Sequence, residues 1–236
     1  MNQILLLIYL VLLLSLSSCI TLEENYAPVT EISIIEPIPK KGIHKVLAND
    51  TLYSIAWRYG LDYSTIAKYN NISAPFGISK GQILYLKKAK PLKKLNKTKL
   101  RGQIITEKNK EPSAKINYWK WPAKGTKIEN FSSQNKGINI SGKSGDPIYA
   151  TASGKIVYNG NGLKGYGNLI IIKHNSTYLT AYAHNKYSLV KTGQHVSSGQ
   201  QIAGMGNTGV RQVMLHFEIR RNGKPVDPLK YLKRMV

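Results

Sequence analysis

The chain has 236 residues, a formal net charge of +22 at pH 7 and a single cysteine. This length leaves room for one or two domains, and one cysteine excludes an intramolecular disulfide. A charge this positive would suit a nucleic acid. The apolar start of the chain indicates export, however, so we expect no nucleic acid partner. We expect instead a weak, salt-dependent attraction to anionic wall polymers or lipid surfaces.

Residues 1–18 are predicted to be a signal peptide, because the apolar run Ile4 to Leu14 is too short to span a membrane. The run leads into Leu16-Ser17-Ser18-Cys19, which resembles the lipobox of bacterial lipoproteins. That resemblance implies that Cys19 is acylated, with palmitate, and more than one acyl chain makes an anchor stable. Ile20, where an Asp would suggest retention in the inner membrane, favours the outer membrane with the protein facing the periplasm. Residues 19–42 are proline-containing and lack periodicity, so we predict a tether.

Residues 43–88 are predicted to form a compact module. A short strand from His44 to Leu47 precedes a helix capped by Asp50 or Thr51, whose side-chain oxygens suit free backbone N–H groups. Apolar residues at helical spacing follow, and Gly60 is expected to end the helix in a left-handed conformation. A second helix is expected over residues 64–69 and a closing strand over residues 83–86.

This strand-helix-helix-strand order resembles the LysM family of peptidoglycan-binding modules. The matching segments are Asn49-Asp50-Thr51-Leu52-Tyr53-Ser54-Ile55-Ala56, Tyr69-Asn70-Asn71-Ile72 and Lys80-Gly81-Gln82. LysM sequences usually have Gly at the position of Asn49, and Asn tolerates the left-handed backbone that the turn requires. The resemblance implies that Asp50, Thr51, Asn71 and Ile72 bind glycans containing N-acetylglucosamine. A role for Asp50 and Thr51 as helix caps alone remains the alternative.

Residues 89–116 are rich in lysine and are predicted to be a solvated linker, with direct contact to an anionic wall polymer as an alternative. From residue 117 to residue 236, apolar stretches separated by turns predict a mainly antiparallel β domain with a groove. Strands are expected over residues 155–158, 169–173, 178–183, 201–203 and 215–220. Asn175-Ser176 is expected to form a hairpin turn between two of them.

The segment Gly160-Asn161-Gly162-Leu163-Lys164-Gly165 matches the dinucleotide-binding pattern G-x-G-x-x-G. That motif requires a helix to begin at the glycines, so that the helix N-terminus meets phosphate. Here the glycines lead into the β-branched run Leu169-Ile170-Ile171-Ile172. We therefore predict a loop between strands and no nucleotide cofactor.

The C-terminal domain resembles the LytM/lysostaphin-type zinc metallopeptidases, a fold of the duplicated hybrid motif type. The family pattern is His-x-Gly-x-Asp, a later His after a strand, and His-x-His followed by Phe-Glu. In this alignment Asn135 and Asn139 replace the first His and the Asp, and Met214 replaces the first His of His-x-His. His184 and His216 keep their places. Flanking matches that fix the register are Gly137, Pro147-Ile148-Tyr149-Ala150, Gly154, Tyr166-Gly167-Asn168, Gly199-Gln200 and Leu215-His216-Phe217-Glu218-Ile219-Arg220.

The resemblance implies that only His216 remains of the three zinc ligands, so we predict neither a metal nor catalytic residues. Catalytic zinc needs about three imidazole, thiolate or carboxylate ligands and a water, and an Asn amide suits harder ions such as calcium. We predict that the groove around Asn135, Asn139, His184, Met214 and His216 serves a partner. A purely structural, hydrogen-bonded role for the two His residues is equally open.

A lipobox, a LysM module, a basic linker and a degenerate LytM domain together resemble the family of NlpD-type murein hydrolase activators. The resemblance implies peptidoglycan binding and activation of a periplasmic N-acetylmuramoyl-L-alanine amidase during septal wall splitting and cell separation. Enrichment at the division septum is expected to follow. Two alternatives stay open: an active zinc endopeptidase with a rearranged site, and a passive lipoprotein that tethers the outer membrane to the wall.

Overall fold

The structure is a computed structural model that describes residues 35–88, 116 and 118–232, all within one compact unit from Glu31 to Val236. The predicted signal peptide, Cys19, most of the tether and nearly all of the basic linker lie outside the described residues. In the described ranges, no helix is long and apolar enough to span a membrane.

The N-terminal module has the predicted strand-helix-helix-strand order: β1 (Ile43–Lys45), α1 (Leu52–Arg58), α2 (Tyr63–Tyr69) and β2 (Ile83–Tyr85). Strands β1 and β2 pair antiparallel. Thr51 is the N-cap of α1 in a reciprocal capping box with Ser54, so that both orphan N–H groups find an acceptor. The expected left-handed positions are confirmed at Asn49 (φ 66°) and at Gly60 (φ 60°), which follows the C-cap Tyr59 of α1.

The C-terminal domain is built from antiparallel strands, as predicted. The strands are β3 (Lys127–Glu129), β4 (Ile138–Ser141), β5 (Pro147–Tyr149), β6 (Gly154–Gly160), β7 (Leu169–Lys173), β8 (Tyr178–Ala183), β9 (Tyr187–Ser188), β10 (His195–Val196), β11 (Gln201–Gly204), β12 (Met214–Arg221) and β13 (Lys224–Val226), and a 3₁₀ turn follows at Pro228–Lys230. The main sheet runs β10-β6-β7-β8-β12-β4-β3, with β13 beside the end of β12, and β5-β11-β9 form a smaller sheet.

The predicted turns also lie where the sequence placed them. In the glycine-rich segment, Gly160 ends β6 and residues 161–165 fall in the loop between β6 and β7. Asn175 accepts the backbone N–H groups of Thr177 and Tyr178 in the β7–β8 hairpin. Gly137 lies just before β4, where an added Cβ would sit 2.1 Å from the Phe217 carbonyl oxygen of β12. Only glycine lets the two backbones approach this closely.

The main sheet is covered on both faces, which explains why β7 is an unbroken apolar run. Ile170, Ile172 and Tyr182 belong to the core shared with the small sheet, whereas Leu169 and Ile171 belong to a second core. That second core also contains the helices of the N-terminal module. The module therefore packs on the outer face of the sheet. The sequence does not predict this arrangement, because a long linker separates the module from the sheet.

Candidate functional site

Three neighbouring strands bring three of the predicted site residues, Asn139, His184 and His216, together on the face of the sheet that the LysM-like module covers. In the register of the sheet, His216 on β12 lies opposite Asn139 on β4 and Ala183 on β8. Directly paired residues share a face, so Asn139 and His216 lie side by side and His184 follows immediately at the end of β8. The His184 and His216 ring centroids are 6.2 Å apart.

His216 lies at the centre of a buried chain of polar contacts. Its Nδ1 donates to Asn139 Oδ1 at 2.7 Å, and its Nε2 lies 3.2 Å from Glu218 Oε1. The Asn139 amide nitrogen donates in turn to Glu129 Oε2 at 2.5 Å. Both ring nitrogens of His216 and both ends of the Asn139 amide are therefore occupied by protein groups.

The five residues assigned to the groove lie beneath the surface. Their exposed fractions are 2% for Asn135, 1% for Asn139, 0% for His184, 4% for Met214 and 0% for His216. Asn135 bonds locally, with its amide nitrogen donating to Asn130 O. Any partner that reaches this cluster directly has to displace the groups that cover it.

His184 has a constrained geometry. Its backbone is left-handed, with φ 65°, and its Nδ1 donates to the Thr208 carbonyl at 2.8 Å. Burial, followed by the nearby His216, lowers the pKa of His184 to about 4, although the Thr208 contact opposes the shift. The ring is therefore neutral near pH 7 with an unprotonated Nε2. That atom and Asn135 Oδ1 are buried without a hydrogen-bond partner.

A second set of buried groups continues the polar chain away from the cluster. Glu218 Oε2 accepts from Arg220 Nε at 3.0 Å, and Glu218 Oε1 accepts from the Tyr166 hydroxyl at 2.6 Å. Burial by itself raises the pKa of Glu218, but the Arg220 guanidinium, His216 and Tyr166 outweigh it and hold the pKa below its usual range. Glu218 is therefore an ionised carboxylate inside the protein, stabilised by its partners.

Arg220 connects this chain to the LysM-like module. Its guanidinium lies 3.6 Å from the ring centroid of Trp57 on α1 and donates to the Trp57 carbonyl at 2.7 Å and to the Tyr166 hydroxyl at 3.1 Å. The side chain is 1% exposed. We call Trp57, Tyr166, Glu218 and Arg220 the latch. Sequence reasoning missed it, although polar residues at alternate positions 216, 218 and 220 of one strand indicate a buried polar face.

Two further contacts hold the module in place. Arg58 donates to the Gly162 carbonyl at 3.1 Å, and Lys224 donates to the Gly60 carbonyl at 3.3 Å. Gly223 approaches the Leu61 backbone so closely that a Cβ would sit 2.4 Å from the Leu61 oxygen. The contact between module and sheet is therefore shaped by backbone as well as by side chains.

The predicted glycan-binding residues separate into two pairs. Asp50 and Thr51 line a cleft of about 570 Å³ between the module and the sheet, whereas Asn71 and Ile72 are not among its lining residues. Asp50 is bound to His44 at 3.0 Å and to the Leu47 N–H at 2.9 Å. Burial raises the pKa of Asp50, but the bonds to His44 and Leu47 and the charge of Arg58 lower it more.

In the part of the chain that the structure describes, no three His, Cys, Asp or Glu side chains come together in a group that could hold a metal ion. At the positions where the LytM resemblance implies zinc ligands, the structure has Asn135, Asn139 and His216 with the contacts given above.

The fold and the comparisons define the class: a LysM module joined to a β domain of the LytM peptidase type. The family model for the LysM domain matches residues 44–87, and the model for peptidase family M23 matches residues 133–228. A zinc-containing peptidase from Vibrio cholerae is 32% identical over 49% of this chain and 40% of its own, with a TM-score of 0.45.

The curated relatives narrow the class further. A protein of Pseudomonas aeruginosa described as "Lipoprotein NlpD/LppB homolog" is 41% identical over 82% of this chain and 77% of its own length. The "Murein hydrolase activator NlpD" of Salmonella dublin is 38% identical over 80% of this chain and 67% of its own length. The chain belongs to the NlpD/LppB family of lipoproteins.

Proposed function

We propose that this protein activates a periplasmic N-acetylmuramoyl-L-alanine amidase while its LysM module holds peptidoglycan. It would act at the septum, anchored to the outer membrane through an acylated Cys19. Membership of a family whose relatives are named murein hydrolase activators carries the proposal. The LysM match, residues 44–87, supports binding to the wall.

The protein is proposed to act without catalysing wall cleavage itself. Zinc hydrolases hold their metal with about three imidazole, thiolate or carboxylate ligands. The bound metal then lowers the pKa of its water ligand to about 7. Asn135 and Asn139 offer amides, and both nitrogens of His216 are engaged by Asn139 and Glu218. These residues do not fit zinc.

The docking surface for the amidase is proposed to lie around the buried cluster. Ile128 on β3 is 42% exposed, and β3 pairs with the strand that carries Asn139. Tyr187 is also 42% exposed and follows His184 by three residues. These apolar side chains provide contact area, and the bond from Asn139 to Glu129 connects β4 to β3, the strand that carries Ile128.

Activation is proposed to be a population shift in the amidase. A ligand changes a conformational equilibrium only by its difference in affinity for the two states. The activator therefore has to bind the open amidase, in which the autoinhibitory segment has left the catalytic zinc, more tightly than the closed amidase. A 100-fold difference in affinity corresponds to about 2.7 kcal/mol.

The test combines three wall-release assays with metal analysis of the chain that begins at residue 20. Dye-labelled wall is incubated with the amidase, with the chain, or with both. We expect release by the pair well above that by the amidase alone, no release by the chain alone, and zinc far below one ion per chain. Near-stoichiometric zinc and wall release by the chain alone would establish an endopeptidase instead.

A surface variant separates activation from passive tethering. Ile128→Asp places a charge at the proposed docking surface and is expected to reduce activation without changing wall binding. Leu229→Asp is the matched control, because Leu229 is 37% exposed in the 3₁₀ turn. If both variants activated the amidase equally, Ile128 would not belong to the docking surface. If the unsubstituted chain did not activate the amidase, passive tethering would remain as the function.

A further inference from the structure

The cleft of about 570 Å³ is closed by two walls that come from different parts of the chain. One wall is formed by the start of α1 with the two residues before it and by the loop between α2 and β2 of the LysM module, and the other by β6, the end of β7 and the turn before β10. A volume of this size is typical of small-ligand sites. The lining residues are Asp50, Thr51, Tyr53, Pro75, Phe76, Gly77 and Ile78 on one side, and Gly154, Lys155, Ile156, Val157, Lys173, His174, Asn175, Thr192, Gly193 and His195 on the other.

The module's wall is mainly aromatic and apolar. Tyr53 packs against Tyr63 with ring centroids 4.6 Å apart, and Phe76 meets Tyr53 edge-on at 6.2 Å. The rings hold one another in place, so this surface is formed before a ligand arrives. Rigid aromatic surfaces with polar tips suit a ligand that has both apolar and hydrogen-bonding faces, as a sugar ring has.

The wall from the β domain supplies positive charge. Lys155 on β6 is exposed, and Lys173 is 6% exposed with its ammonium 5.6 Å from the Tyr63 ring centroid and 5.9 Å from that of Phe76. Lys155 therefore places a cationic side chain on the β-domain side of the cleft, whereas the Lys173 head lies against the rings of Tyr63 and Phe76.

The acidic side of the cleft is already neutralised within the protein. Asp50 is the acidic residue among the lining residues, and its carboxylate is committed to His44, to the Leu47 N–H and to Arg58 at 3.5 Å. His174 contributes no charge near pH 7, because burial lowers its pKa to about 4. The charge that a ligand meets is thus positive and comes from the β domain.

We propose that this composite cleft binds an N-acetylated glycan that carries a carboxylate, with the sugar on the LysM wall and the carboxylate at Lys155. The inference rests on the proposed binding of peptidoglycan and adds to it a recognition role for the β domain. A neutral N-acetylglucosamine polymer contacts only the LysM wall, whereas a glycan with lactyl or peptide carboxylates contacts both the LysM wall and Lys155. A ligand that touches both walls also stabilises the docked arrangement of module and sheet, because it binds that arrangement alone.

The test compares two probes on the chain that begins at residue 20. One probe is the uncharged N-acetylglucosamine pentamer, and the other is a soluble wall tetrasaccharide with its stem-peptide carboxylates. Isothermal titration is run on the unsubstituted chain, on Lys155→Glu and on Lys143→Glu. Lys143 is an exposed lysine of the same domain outside the cleft, so its variant makes the same charge change.

We expect Lys155→Glu to weaken the carboxylated probe roughly 3- to 10-fold, as expected for inverting one exposed ion pair. The neutral probe should change by less than about 2-fold, and Lys143→Glu should change neither. Equal affinity of Lys155→Glu and the unsubstituted chain for the carboxylated probe would overturn the inference but leave wall binding by the module intact. Failure of both probes to bind the unsubstituted chain would overturn the inference and wall binding together.

Phe76→Ala provides a second measurement, on the other wall. Phe76 is partly buried with a left-handed backbone, φ 62°, and it packs against the module core. Its removal should weaken both probes to a similar extent, and an unchanged melting temperature excludes unfolding as the cause. Unchanged affinity for both probes in a folded Phe76→Ala protein would place the ligand outside this cleft.

Discussion

Arg220→Ala is expected to be strongly destabilising, because it removes a buried cation with partners on both sides of the module contact. The guanidinium is 1% exposed, lies 3.0 Å from Glu218 Oε2 and 2.7 Å from the Trp57 carbonyl, and stacks 3.6 Å from the Trp57 ring centroid. Removing one partner of a buried ion pair costs about 3–5 kcal/mol, because the other charge stays buried and uncompensated.

Circular dichroism measures this loss of stability as a decrease in the melting temperature. For a unit of this size, 1 kcal/mol shifts the melting temperature by about 2–4 °C, so Arg220→Ala should lower it by roughly 6–20 °C. Arg221→Ala is the matched control, because Arg221 is the next residue on the same strand and is exposed. It should shift the melting temperature by less than about 2 °C.

A double variant identifies the buried charge as the cause. Adding Glu218→Gln to Arg220→Met neutralises the carboxylate that Arg220 leaves behind, so the pair should recover a large part of the loss seen with Arg220→Met alone. A loss below about 1 kcal/mol for Arg220→Ala would refute the latch as a stabilising contact. Additive effects of the two substitutions would refute the charge coupling.

Three further substitutions have expected outcomes. Gly137→Ala should lower the free energy of unfolding by about 3 kcal/mol or more, because the new Cβ would lie 2.1 Å from the Phe217 oxygen. Gly77→Ala is the control, because a Cβ at Gly77 would have nothing within 4 Å. Equal effects of the two substitutions would contradict the close approach at Gly137. Thr51→Ala should cost about 1 kcal/mol in urea unfolding through the lost N-cap, and a neutral result would exclude the cap. Unfolded His184 takes up a proton near pH ~6.5, whereas the folded residue has a pKa of about 4, so stability should fall as pH drops between these values. His184→Asn should reduce that dependence, while the part due to His174, whose pKa burial also lowers to about 4, should remain. An unchanged slope would contradict the neutral, buried state of His184.

Much of the fold follows from local sequence signals. Asn49 and Gly60 identified two of the left-handed positions of the module. The five strands predicted in the C-terminal domain all appear, two with the predicted bounds and three with ends shifted by one or two residues. The short strands β3, β4, β5, β9, β10 and β13 were not predicted, because two to four residues carry too little periodicity to separate them from loops.

The latch could not be predicted in the same way. Arg220 and Trp57 are 163 positions apart. Their contact depends on how the module and the β domain pack together, and the sequence of the residues that link the two does not indicate that packing. The burial of the site residues was missed for the same reason. Asn139 and His216 were expected to line an open groove, but their exposure depends on Glu129 and on the covering module, which alignment with a peptidase pattern does not reveal.

The most direct test of the account is the rate of wall release by a purified amidase as increasing amounts of this protein, from residue 20 onward, are added. We expect the rate to rise with concentration and to saturate, and we expect the protein alone to release nothing. A rate that stays at the level of the amidase alone, with a folded and wall-bound protein, would contradict it.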